Sequence, residues 1–117
     1  MRLRKGCLWP MPITLDLPEA TLRHLGHSDQ LTLMDIDGTP LAVMTVSEVW
    51  RPDRRAEAEA VFGTTDFNHP GVEDLLSNTN PWYVSGPLKI LASPAHHDFH
   101  QLRHTPAQLR AEFTRRG

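Results

Sequence analysis

The residues best equipped for chemistry are gathered in His96-His97-Asp98-Phe99-His100, with His104 just beyond. If 96–100 is extended, His96, Asp98 and His100 share one face at spacing two, enough for three ligands to zinc or another divalent cation. Structural zinc sites usually take four ligands, and catalytic ones need ordered partners behind the ligands; no other part of the sequence supplies either. The segment therefore reads as a polar connection and no metal is assigned. Among the carboxylates, Asp37 belongs to a turn and Asp53 to a helix cap, where their oxygens are taken by backbone groups, so neither joins Asp35 or Asp66 as an acid–base pair. Cys7 lies near Arg4 and Lys5, which would favour a thiolate, but no histidine-containing nucleophile motif accompanies it. Gly63-Thr64-Thr65-Asp66 lacks the glycine spacing and lysine of a phosphate-cradling loop. Trp9, Trp50 and Trp82 could stack on bases, yet each falls at a strand or its edge and reads as core or rim packing. On chemistry alone no catalytic, cofactor-binding or metal residue is assigned.

The elements around these residues are short, because ten prolines are spread along the chain and each interrupts a helix or ladder. Ile13, Leu15 and Leu17 alternate with polar residues as in a half-buried strand, which Pro18 ends. Glu19 to Leu25 predicts a short helix stopped by a left-handed Gly26. Leu31 to Ile36 and Leu41 to Val46 flank Asp37-Gly38, a hairpin signal, with the second strand continuing toward Val49-Trp50. Asp53 caps a helix from Arg54 to Phe62 with Gly63 after it, and His69-Pro70 starts a turn or two of helix over Val72 to Ser77. Trp82-Tyr83-Val84 and Leu88 to Leu91 read as strand pieces separated by a bulge or bend at Ser85-Gly86-Pro87. Thr105-Pro106-Ala107-Gln108 combines a cap, a first-turn proline and a reciprocal glutamine, predicting a helix from Pro106 to about Arg115 that buries Leu109 and Phe113.

The whole is expected to be one mixed α/β (α+β) domain over residues 1–117, since 39% hydrophobic and 22% charged residues lie near globular averages. A formal net charge of −2 disfavours nucleic acid as a partner. The single cysteine cannot close an intrachain disulfide, and no run is long and apolar enough for a membrane span or signal peptide. These point to a soluble, cytoplasmic protein.

A wider pattern runs through the chain. Leu8-Trp9-Pro10-Met11-Pro12-Ile13-Thr14-Leu15-Asp16, Glu48-Val49-Trp50-Arg51-Pro52-Asp53, His69-Pro70-Gly71-Val72, Tyr83-Val84-Ser85-Gly86-Pro87-Leu88 and Thr105-Pro106-Ala107-Gln108-Leu109-Arg110 resemble, in order and spacing, the N-terminal domain of ATP sulfurylases (sulfate adenylyltransferases). The resemblance covers essentially the whole chain and is closest to bacterial forms, including those fused to adenylylsulfate kinase. Departures are His97, where the family commonly has tyrosine, and Ser85, where it commonly has glycine; the first creates much of the histidine cluster.

The resemblance implies a PUA-like fold, a small β-barrel with short peripheral helices, in a protein that transfers an adenylyl group from ATP to sulfate. The family's catalytic motif, Gln-Thr-Arg-Asn-Pro with two downstream histidines, lies in the following domain and matches no position here. No catalytic residue and no cofactor is carried over, and the chain alone is expected to be inactive, with a scaffolding or subunit-contact role. A preceding segment with a Gly-Phe-Ser-Pro-Leu type motif is also without a counterpart, so surface that both pieces would cover is expected to be open. Expected partners are a second copy of this chain or a sulfurylase catalytic domain. The alternative is a stand-alone PUA-like module that binds RNA or a protein.

Overall fold

The computed structural model describes all residues except Met1, Arg4, Lys5, His27 and His96. Its elements run in the order β1 (Asp16–Leu17), α1 (Glu19–Leu25), β2 (Gln30–Met34), β3 (Pro40–Thr45), β4 (Glu48–Trp50), α2 (Arg54–Phe62), α3 (Pro70–Ser77), β5 (Trp82–Ser85), β6 (Leu88–Ile90) and α4 (Pro106–Arg116), with a short 3₁₀ turn at His100–Leu102. The strands form two antiparallel three-stranded sheets, ordered β1-β5-β4 and β2-β3-β6.

The β2–β3 hairpin closes where the Asp-Gly pair predicts. Gly38 sits at φ 86°, Asp35 N–H donates to the Thr39 carbonyl at 2.8 Å, and Asp37 Oδ1 accepts from Thr39 N–H at 2.9 Å. The two strands then stop earlier than their apolar pattern suggests, at Met34 and Thr45. Beyond Thr45 the chain turns through Val46-Ser47 into β4, which pairs with β5 in the other sheet, Trp50 opposite Tyr83. It is therefore not a continuation of β3. On the partner side β5 turns through Gly86-Pro87 into β6, the bend expected there. The two bends lie against each other: Thr45 N–H donates to Pro87 O at 3.0 Å and Ser47 N–H to Ser85 O at 2.8 Å. The sheets are thus two halves of one ladder folded at a corner. The mixed α/β character stands, and among the described residues the strand pairings do not close into a ring: β1 contributes two paired residues and the outer edge of β6 is unpaired.

Leu17, Met44 and Val84 form the buried centre, one from each side of the corner and one from β1, with Leu15, Leu25, Leu31 and Val46 packed around them. Ala58 of α2 and Val72 of α3 are fully buried where those helices meet. Both helices begin as the sequence predicts: Asp53 accepts from Ala56 N–H at 3.0 Å, and Pro70 occupies the first turn of α3.

Three expectations fail. Ile13 is 85% exposed, since the pairing with β5 reaches back only to the Leu15 carbonyl, which accepts from Val84 N–H at 3.1 Å. Gly26 follows α1 with right-handed φ −59°, so no left-handed stop forms. Leu109 and Phe113 of α4 are 37% and 64% exposed, because no element packs extensively on that helix. The consequence shows in the dimensions. The Cα radius of gyration is 17.2 Å, against about 13 Å for a compact chain of this length. The accessible surface is 9384 Å², against roughly 6,400 Å² for a compact monomer of this mass.

Candidate functional site

A cleft of about 350 Å³ opens between β1, β5, α2 and α3. Met11, Val61, Phe62 and Leu75 give it apolar walls, and Asp16, Glu57, Asp74 and Tyr83 supply its polar groups. Every one of these polar groups holds a structural hydrogen bond. Asn80 N–H donates to Asp16 Oδ2 at 2.6 Å, fixing the turn before β5 to β1. Tyr83 Oη donates to Glu57 Oε2 at 3.0 Å, fixing β5 to α2. Asn78 Nδ2 donates to Asp74 Oδ1 at 2.9 Å at the end of α3, and the Arg54 guanidinium donates to the Asn80 carbonyl. Among the described residues its lining also includes the hydroxyl-bearing Thr14 and Thr79 and no histidine or cysteine. Apart from the local Asn78–Asp74 pair, these hydrogen bonds join elements far apart in sequence, which no local motif could reveal.

Tyr83 is nearly fully buried. Burial first, then the hydrogen bond to Glu57 and the negative charge of that carboxylate, raise its phenol above the ordinary value of 10.0, because both disfavour the phenolate. It is the chain's one tyrosine, so an ultraviolet absorbance titration reads this residue alone. The midpoint is expected above 10; Glu57→Gln should lower it, with burial still holding part of the shift. Since the folded state keeps the proton longer, this contribution to stability is complete below the unfolded pKa and is lost as pH rises through the folded one. A titration midpoint at the unfolded value would contradict the burial of this phenol.

Of the three-ligand face, the described members Asp98 and His100 do not share an extended strand. Phe99 adopts φ 47° and His100 starts the 3₁₀ turn, so 98–100 is not extended. The Asp98 carboxylate pairs with Arg103 at 2.8 Å. His96 lies outside the described residues. His69, treated in the sequence only as a helix start, takes a further part: its Nδ1 accepts from Gly71 N–H at 3.2 Å and its ring lies 5.0 Å from that of Phe62. The tryptophans pack as rim residues. Trp50 stands edge-on to Tyr83 at 5.8 Å, and Trp82 donates from Nε1 to Glu19 Oε2 at 2.5 Å beneath the Arg51 guanidinium. Cys7 is exposed.

A family model described as a PUA-like domain matches residues 1–93. The chain belongs to the PUA-like domain family. Over almost its whole length this PUA-like chain is similar to sulfate adenylyltransferases. It is 41% identical to that of Candida albicans over 97% of this chain, 42% identical to that of Gibberella zeae over 99%, and 41% identical to that of Saccharomyces cerevisiae over 98%. It spans only about a fifth of their length, 21%, 21% and 22% respectively. Among solved structures it resembles a hexameric APS kinase from Thiobacillus denitrificans, with a TM-score of 0.55 and 33% identity over 99% of this chain and 18% of that one. The curated relatives named here are fungal, where the sequence pattern pointed to bacterial forms. In the PUA-like domain no described helix is long and apolar enough to cross a membrane.

Proposed function

We propose that this chain serves as a non-catalytic PUA-like domain of a sulfate adenylyltransferase-type protein, providing contact surface for a catalytic domain or for other subunits in the cytoplasm. The protein as a whole would transfer an adenylyl group from ATP to sulfate, giving adenylylsulfate and pyrophosphate. The observation that carries this reading is a colinear identity of about 40% confined to a fifth of each enzyme, in a chain whose cleft carboxylates are all occupied by structural hydrogen bonds. The large exposed surface supports the contact role, as does the hexameric state of the structural relative.

The test has two arms. The chain alone, given adenylylsulfate and pyrophosphate, should form no ATP above the protein-free blank, read by coupled luminescence; steady ATP formation would place a catalytic site here and overturn the reading. Tagged chain mixed at micromolar concentration with a sulfate adenylyltransferase lacking its own N-terminal domain should co-purify with it. Loss of all binding would remove the contact role.

A further inference from the structure

Near the C-terminus, Arg103, Arg115 and Arg116 each meet a carboxylate of the same segment, at 2.8, 2.5 and 2.5 Å. A different arrangement stands at the start of α2. Arg51, Arg54 and Arg55 gather around a recess of about 300 Å³ whose remaining lining is Pro52, Asp53 and Pro81. Among the described residues none of these three arginines pairs with a carboxylate. In a chain of formal net charge −2, three guanidiniums here share the recess with a single carboxylate. That carboxylate is engaged elsewhere, since Asp53 Oδ1 accepts from Ala56 N–H at 3.0 Å as the cap of α2.

Two of the guanidiniums are positioned by contacts within this chain. Arg51 lies over the Trp82 ring, 5.8 Å from its centroid, and the indole N–H is in turn fixed by Glu19. Arg54 is half-buried and donates to the Asn80 carbonyl, in the turn that Asp16 ties to β1. These contacts use a flat face or a single N–H and leave most of each group's donors open. Little side-chain order then remains to be supplied by a ligand. Arg55 is exposed beside them. The amides of Arg54 and Arg55 belong to the first turn of α2, which has no acceptor of its own for them, and Pro52 and Pro81 wall the recess with stiff backbone.

We propose that this recess binds a small tetrahedral oxyanion, a phosphate or sulfate group, held by Arg51 and Arg55 with Arg54 behind them. Three arginines less Asp53 leave an excess of two positive charges, which a dianion balances and a single carboxylate does not. The guanidiniums also approach from two places, the end of β4 and the start of α2. A tetrahedral group offers oxygens to both at once, and guanidinium forks suit such oxygens better than an ammonium would. The inference goes beyond the contact role proposed above and does not rest on it.

Calorimetric titration of the purified chain with inorganic phosphate, sulfate, pyrophosphate and ATP, each as a separate probe at low and at physiological salt, tests the site. Pyrophosphate should saturate one site per chain, more weakly as salt rises. Arg55→Gln should raise its dissociation constant about tenfold or more, and adding Arg51→Gln should abolish saturable binding. Asp53→Asn keeps a capping side chain while removing the negative charge and should tighten binding severalfold. Arg110→Gln, an equal loss of charge in α4, should change nothing; circular dichroism checks that each variant is folded. ATP binding no tighter than pyrophosphate identifies free anions as the source, whereas ATP binding tenfold tighter identifies a group carried on a nucleotide. No saturable binding of any probe, or an equal loss from Arg110→Gln, overturns the proposal. So does a single-stranded RNA that displaces pyrophosphate at tenfold lower concentration, which would make the cluster a nucleic-acid contact. Absence of anion binding in a chain that still co-purifies with the truncated adenylyltransferase would sink this site alone; a chain that binds pyrophosphate and ignores that enzyme would sink only the contact role.

Discussion

Gly86→Ala is expected to leave the chain without a stable fold at the sheet corner. A Cβ built on Gly86 would lie 1.9 Å from the Thr45 carbonyl oxygen, 2.9 Å from its carbon and 3.1 Å from Ser47 N. All three atoms are backbone, and both residues are held by the hydrogen bonds that fold the ladder over, Thr45 N–H to Pro87 O and Ser47 N–H to Ser85 O. No rotamer change relieves such a contact; the two bends must part. The loss should exceed about 4 kcal/mol, the range of exceptional single substitutions and a large share of the about 5–15 kcal/mol that holds a typical domain together. Urea unfolding followed by circular dichroism reads it. Gly26→Ala is the matched control, since its backbone is right-handed and an added Cβ meets only the Arg23 carbonyl oxygen, at 3.4 Å. That variant should be neutral or gain up to about 1 kcal/mol through a less flexible unfolded chain. A Gly86 variant with the parent's midpoint would mean that the corner is not closed as described.

Met44→Ala should be the next most damaging change. Among the described residues the buried central cluster is Leu17, Met44 and Val84, so each large side chain removed takes a sizeable share of the packing between the sheets. Truncating a buried methionine costs about 2–5 kcal/mol, from lost transfer energy and the cavity left behind. The exposed Ile36 at the hairpin tip provides the contrast: Ile36→Ala should stay within about 0.5 kcal/mol. The urea midpoints of the two variants, compared at equal m-value, check the difference. Equal effects at both positions would mean that the centre of the molecule lies elsewhere.

What the sequence discloses and what it withholds follow from the range of the forces involved. Asp53, Thr105 with Gln108, Pro70 and the Asp37-Gly38 pair act within a few residues, and the starts of α2, α3 and α4 and the hairpin appear where those residues place them. The alternation of Ile13, Leu15 and Leu17 marks an apolar face but not a partner, and only Asp16–Leu17 finds one. Likewise Val49-Trp50 reads as strand, while its pairing with β5 depends on a corner formed by two distant bends. Leu109 and Phe113 define an apolar stripe on α4, but periodicity says nothing of whether a surface awaits it. The cleft follows the same rule, since Asp16 with Asn80 and Glu57 with Tyr83 meet only once the fold exists. The histidine cluster misleads in the opposite direction: its spacing suits an extended chain, and the left-handed turn at Phe99 removes that geometry.

β1 bears on how the molecule assembles in time. Its register sets Asp16 against Tyr83, so this two-residue strand closes a loop of about 67 residues that contains every other element through β4, α2 and α3. Closing a flexible loop of that length costs on the order of 4 kcal/mol in chain entropy, and two ladder residues, the Asp16–Asn80 hydrogen bond and Leu17 in the core must offset it. The hairpin of β2 and β3 closes only a short turn and can form early, whereas β1 gains nothing until β5 is already in place. The first strand in the sequence is thus expected to be among the last to join the folding chain.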